Sequence, residues 1–182
     1  MNEFIFLHLL RPFSKRVIAA LASYAYRENK LPLWAFQPMT HVVPSTAFEL
    51  LIVRQGSLGT EVFLTKRPPN DPAWPNEWHF PGTVIRTKDS FDTIKLRLAK
   101  SELGLTELPG ETQFLTMLFD EDKPRGNTLH TFHVLRVHAA FANEQGTFFP
   151  LAQLPEHMIN FQKRQLTTIV GEILRTVQDD AE

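Results

Sequence analysis

The chain has 182 residues, 43% of them hydrophobic, which is enough for one domain with a substantial core and short for two. Its formal net charge of -1, with acids and bases mixed along the chain, gives no electrostatic basis for binding a nucleic-acid polymer or a membrane surface. The absence of cysteine excludes a disulfide scaffold, a thiol nucleophile and a Cys-based zinc site, and a reducing cytoplasm is the expected setting.

The opening MNEFIFLHLLRPFSKR has an apolar run from Phe4 to Leu10, but His8 interrupts it and Glu3, not a basic residue, precedes it, so it makes a poor signal peptide. No apolar stretch approaches the roughly 20 residues that a membrane span needs. Ser14 to Asn29 reads as a helix, with Val17, Ile18, Leu21, Tyr24 and Ala25 on one side and Asn29 as its stop. That face is expected to dock on the chain's own domain or on a second subunit, which makes a homodimer one expected assembly. Pro32, Pro38 and Pro44 mark an irregular connector, so residues 1–44 are an N-terminal helical extension and 45–182 the main domain.

Ala47 to Arg54 predicts a strand, Gly56 and Gly59 bracket a turn, and Glu61 to Lys66 returns as the second strand of a hairpin. The proline-rich stretch RPPNDPAWPNEW, Arg67 to Trp78, is an ordered surface loop. Its Trp74 and Trp78 either stack on a planar ligand group or fold back on the domain. Phe91 to Leu103 predicts a helix, capped by Ser90 or Asp89 and stopped by Gly104. Two stripes follow from its spacing: Phe91, Ile94, Leu98, Ser101 and Glu102 on one face, and Leu96, Ala99 and Leu103 on another suited to packing on a sheet.

Gln113 to Phe119 and Thr128 to His138 predict a second hairpin, joined across the acid-rich turn that begins Asp120, Glu121, Asp122. A short strand at Thr147 to Phe149 leads through PLAQLPE into a closing helix marked by Leu166, Ile169, Val170, Ile173, Leu174 and Val177. His130 and His133 sit three apart on a strand, so they point to opposite faces and share no ion. His79 is expected to be structural.

The Trp-x-x-Pro-Gly from Trp78 to Gly82, with the loop and helix behind it, resembles the approach to the Nudix box, whose pattern runs G-x5-E-x7-R-E-U-x-E-E-x-G-U with U aliphatic. Laid on without gaps, the pattern puts its first Gly on Thr83, its first Glu on Asp89, its Arg on Arg97 and its closing pair on Gly104 and Leu105. Of the acids in R-E-U-x-E-E, two fall on Leu98 and Ser101, leaving Glu102. In the loop, Arg86 stands where the family often has an acid and Lys88 where it has a glycine.

The resemblance covers roughly Ala47 to Val177. It implies an α+β fold, a Nudix-like mixed β-sheet between α-helices, here with an extra N-terminal helix. The implied activity is magnesium-dependent hydrolysis of a nucleoside diphosphate linked to another group, weak or altered because box acids are missing. Glu102 and Arg97 are the implied catalytic residues, with Glu102 and Glu121 on a magnesium ion. Arg67, Trp74, Arg86, Lys88, Leu98 and Ser101 are the candidates for holding a small phosphate-containing ligand. The apolar stripe of Phe91, Ile94 and Leu98 leaves a second reading open, a non-catalytic module for a nucleotide-like ligand or a dimeric scaffold.

Overall fold

A computed structural model describes the backbone of residues 3–40, 43–120 and 126–178, and the side chains of all of these except 3–14, 33, 37 and 176–178. The first helix, α1 (Glu3–Glu28), begins well before the predicted Ser14 and ends where Asn29 takes a left-handed φ of 52°. A second helix, α2 (Leu33–Thr40), occupies what the prolines marked as an irregular connector. The reason is positional. The Pro32 carbonyl accepts hydrogen bonds from Ala35 and Phe36, both at 2.9 Å, and so starts the helix. Pro38 withholds only one backbone bond from a segment of two turns.

The rest of the chain runs β1 (Ser45–Gly56), β2 (Gly59–Lys66), β3 (Trp78–His79), β4 (Gly82–Val84), α3 (Phe91–Leu103), β5 (Thr112–Asp120), β6 (Thr128–Arg136), β7 (Gly146–Pro150) and α4 (Asn160–Gln178). One seven-stranded sheet has the order β3-β2-β1-β6-β5, with β4 added to β1 and β7 to β2. The β1–β6 pair is parallel and the other pairs are antiparallel, so the sheet is mixed and the fold α+β. The β4 pairing was not expected, since residues 82 to 90 read as loop throughout.

The sheet lies between two helices. β1 is central and buried on both faces, as a strand read as FELLIV requires. Phe48, Leu50 and Ile52 pack with Ile94, Leu98 and Leu103 of α3, while Leu51 and Val53 pack with Leu166, Ile169 and Ile173 of α4. The α3 phase differs from the expected one. Leu96 is 44% exposed, whereas Ile94 and Leu98 are buried with Ala99 and Leu103. The buried arc falls between the two stripes read from the spacing, because three- and four-residue steps fix which residues are neighbours and not which of two adjacent arcs meets the sheet.

Across the described part of α1, Val17 and Ile18 remain 41% and 66% exposed while Leu21 and Ala25 are half-buried, so this chain's own domain covers only the C-terminal part of that face. Among the described residues no helix is long and apolar enough to cross a membrane.

Candidate functional site

Two short-range devices fix the loop that precedes α3. Ser90 caps the helix: its side chain accepts from the Thr93 backbone N–H, and the Thr93 hydroxyl accepts from that of Ser90 at 2.8 Å. Gly104, at φ 65°, closes the other end in the left-handed conformation that a glycine adopts without strain. Arg97 then reaches back from α3, donating to both Asp89 carboxylate oxygens at 2.7 Å and to the Val84 carbonyl at 2.9 Å. Those bonds hold the Asp89 carboxyl below its ordinary range, with burial opposing them. Arg97 thus organises the loop, and its polar contacts are with Thr83, Val84 and Asp89.

Beside this loop is a pocket of about 300 Å³, bounded by α2, the ends of β1 and β6, and the start of α4. Of the residues expected at a ligand, Arg67, Trp74 and Arg86 line it together, alongside Phe36 and Phe161. Trp74 folds back on the domain and still reaches the pocket. Its ring leans on Phe161 with centroids 5.6 Å apart, and it also forms part of the pocket wall. Trp78 instead packs edge-on against Phe149 at 5.0 Å, in the core.

Two further residues of this pocket were not anticipated. Glu49 and His130 are both buried, and His130 Nδ1 donates to Glu49 Oε1 at 2.7 Å. Gly82 makes room for them, since a β-carbon there would overlap the Glu49 carboxyl. One signal was available: Glu49 is a lone carboxylate in an apolar strand, and a buried carboxylate requires a partner. The partner is 81 residues away and is reached only through the parallel β1–β6 pairing.

Glu102 adjoins the pocket without lining it. Its carboxyl lies 3.9 Å from His79 Nε2, and burial raises its pKa, with Glu49 adding to the rise and Arg67 opposing it. His79 is buried and structural: its Nδ1 is 2.6 Å from the Phe80 carbonyl and must donate, while Nε2 is 3.1 Å from the Thr65 hydroxyl. A carboxyl whose pKa is raised on folding contributes stability below its unfolded value, about 4.3 for Glu, and loses it as pH climbs through the folded value. Glu102→Gln should therefore raise Tm at pH 7 to 8 relative to the native chain, and the gain should vanish near pH 4. A pair of calorimetric melting series tests this; an unchanged difference across that range would show that the carboxyl is not strained by its surroundings.

The remaining candidates lie elsewhere. Leu98 is fully buried in the core beneath α3 and so cannot face a ligand. Ser101 is exposed beside Leu96, Arg97 and Lys100 on the outer side of that helix. Lys88 turns to α1, its Nζ 4.1 Å above the Tyr26 ring. Glu121 and Asp122 fall outside the described residues. The two strand histidines do point apart: His133 stacks on Phe48 at 3.9 Å on the α3 side, where burial and Lys95 push its pKa down to about 4.

The donor set does not by itself form a magnesium cage. Among the described residues no three or more His, Asp or Glu side chains are grouped to hold a metal ion, and of the carboxyls near the pocket Glu49 faces His130, Glu102 and Asp71 face Arg67, and Asp89 is held by Arg97.

No family model and no curated protein matches the chain. Solved structures do. The NUDIX domain of Shewanella oneidensis NrtR, crystallised with ADP ribose, aligns with a TM-score of 0.57 at 17% identity over 78% of this chain and 96% of that one. The C-terminal domain of mouse MUTYH, in complex with human PCNA, aligns at 0.55 and 14% identity over 72% and 90%. A MutT NUDIX hydrolase from Burkholderia pseudomallei aligns at 0.50 and 20% identity over 68% and 96%. The chain has the Nudix fold.

Proposed function

We propose that this chain binds a nucleoside diphosphate, free or linked to another group, in the pocket between α2 and the start of α4, and hydrolyses it weakly. The observation that carries the reading is the convergence of Arg67 and Arg86 with Trp74 and Phe36 on one pocket. Guanidinium groups suit phosphate oxygens, and the two aromatic rings offer flat faces to a base. The ADP ribose held by the Shewanella neighbour is a ligand of this class.

Glu102 is the candidate for activating water. Burial raises its pKa, which makes it a better proton acceptor than an ordinary carboxylate, and Arg67 keeps part of its charge in place. Arg97 acts one step back, by holding the loop through Asp89. Magnesium is bound in other sites by one or two carboxylates together with substrate phosphates. The acids present here would support at most such a ligand-dependent ion, so slow turnover is expected. Binding without turnover is favoured by one further observation, that Glu49 is already committed to His130.

The test is a panel of nucleoside diphosphates and their conjugates, assayed for turnover with magnesium or manganese and by calorimetry without metal. The expected result is measurable metal-free binding and slow turnover that Glu102→Gln abolishes while binding persists. Failure of every compound to bind would refute the assignment of the pocket, and turnover untouched by Glu102→Gln would refute the role of Glu102.

A further inference from the structure

A second cavity, of about 320 Å³, lies between the C-terminal end of α1, α2 and the loop before α3. It shares Phe36, Val84 and Arg86 with the first pocket, so the two are neighbouring compartments with Arg86 in the common wall. Each falls near the lower end of the range, about 300 to 1,000 Å³, that small-molecule sites occupy. Either alone suits one half of a two-part ligand. We infer that the second cavity is a subsite for the group attached to the nucleoside diphosphate, with the phosphates lying at Arg86. The inference rests on the nucleotide reading of the first pocket.

The compartment is built, and its walls are tied together. Asn29, in its left-handed conformation at the end of α1, donates from Nδ2 to Asp89 at 3.1 Å and accepts from the Lys88 backbone N–H at 2.9 Å. An Asn tolerates that conformation where most side chains do not. The Lys88 ammonium over Tyr26 adds a second tie between α1 and the loop. The extension outside the domain core therefore forms one side of the subsite.

Its chemistry limits what it takes. Ala25, Leu31, Phe36 and Ile85 give it apolar surface, while Lys30 and Arg86 give it positive charge. Among the described residues no carboxylate lines it. Asp89, the nearest acid to Arg86 in the loop, already gives both oxygens to Arg97, and Arg97 repels Arg86. Positive charge is thus left over where the compartments meet. The subsite fits a neutral or anionic group such as a sugar, and it disfavours a cationic one.

Calorimetry on the full chain would compare ADP with ADP-ribose, GDP with GDP-mannose, UDP with UDP-glucose, and ADP-ribose with NAD, whose nicotinamide ring is cationic. The best sugar conjugate should bind at least tenfold more tightly than its diphosphate, and NAD more weakly than ADP-ribose. Ala25→Trp, which fills only the second cavity, should erase the conjugate's advantage and leave the diphosphate unchanged. Lys30→Glu, an exposed change expected to fold, should reduce the affinity of an anionic conjugate, UDP-glucuronate, more than that of UDP-glucose. Equal binding of diphosphate and conjugate, or an advantage that survives Ala25→Trp, would overturn the subsite while the first pocket stands. If no compound binds, both readings fail together; if Arg67→Ala weakens diphosphate and conjugate alike, the first pocket is upheld and the comparison is sound.

Discussion

Leu98→Glu is expected to unfold the protein or leave it barely stable, although it restores an acid that the Nudix pattern has at that position. Leu98 is 0% exposed and packs in the layer that contains Phe48, Leu50, Ile52 and Leu103. Introducing a carboxylate there removes a well-packed apolar side chain and buries a charge without a partner. The effective penalty is several kcal/mol, against a total stability of about 5–15 kcal/mol for a typical domain. Ser101→Glu is the contrast, since Ser101 is exposed beside Arg97 and Lys100 and should tolerate the change within about 0.5 kcal/mol. Urea unfolding of the two single variants separates the cases. A Leu98→Glu protein that kept its native midpoint and gained magnesium affinity would show that α3 presents this residue to the pocket and not to the sheet.

The contrast shows what the sequence could and could not convey about this helix. Its limits were legible because a cap at Ser90 or Asp89 and a stop at Gly104 act through local hydrogen bonds and a single left-handed residue, and the structure assigns the cap to Ser90. Its rotation was not, because Ile94, Leu96, Leu98 and Leu103 are all apolar and only the facing sheet decides which are covered. The same distinction holds for α2. Three prolines read as punctuation, yet Pro32 sits just before the helix, where its carbonyl starts it, and Pro38 lies in its second turn and withholds one backbone bond.

At the site, Arg67, Trp74 and Arg86 were named from their places around the box, and they do share a pocket. Lys88 was named on the same grounds, but a local partner, the Tyr26 ring on α1, takes it elsewhere. The role of α1 and α2 as walls was beyond reach, because it depends on tertiary ties such as Asn29 to Asp89, 60 residues apart. The pairing of Glu49 with His130 was hidden for a related reason. Glu49 stands out as a lone carboxylate in an apolar strand, but its partner His130 cannot be identified until β1 and β6 are laid side by side.

That buried pair supports the second large prediction. Removing one partner, by His130→Ala, leaves the Glu49 carboxyl buried without its donor and should cost about 3 kcal/mol. Replacing both, by Glu49→Leu with His130→Leu, removes the desolvated polar groups together and should be less destabilising than either single change, because a buried pair seldom outweighs apolar residues of similar size. If the pair served stability alone, the leucines would serve almost as well. Its position in the pocket argues for another use: a polar floor beneath Arg67 and Trp74, able to meet the hydroxyls or base edge of a nucleotide. Folding and binding should therefore part company in the double variant, with the urea midpoint recovering toward the native value and affinity for the tightest-binding nucleoside diphosphate falling at least tenfold. Should both recover, the pair is only a buried hydrogen bond; should neither recover, the strand pairing itself depends on Glu49 and His130, and the polar floor is structural.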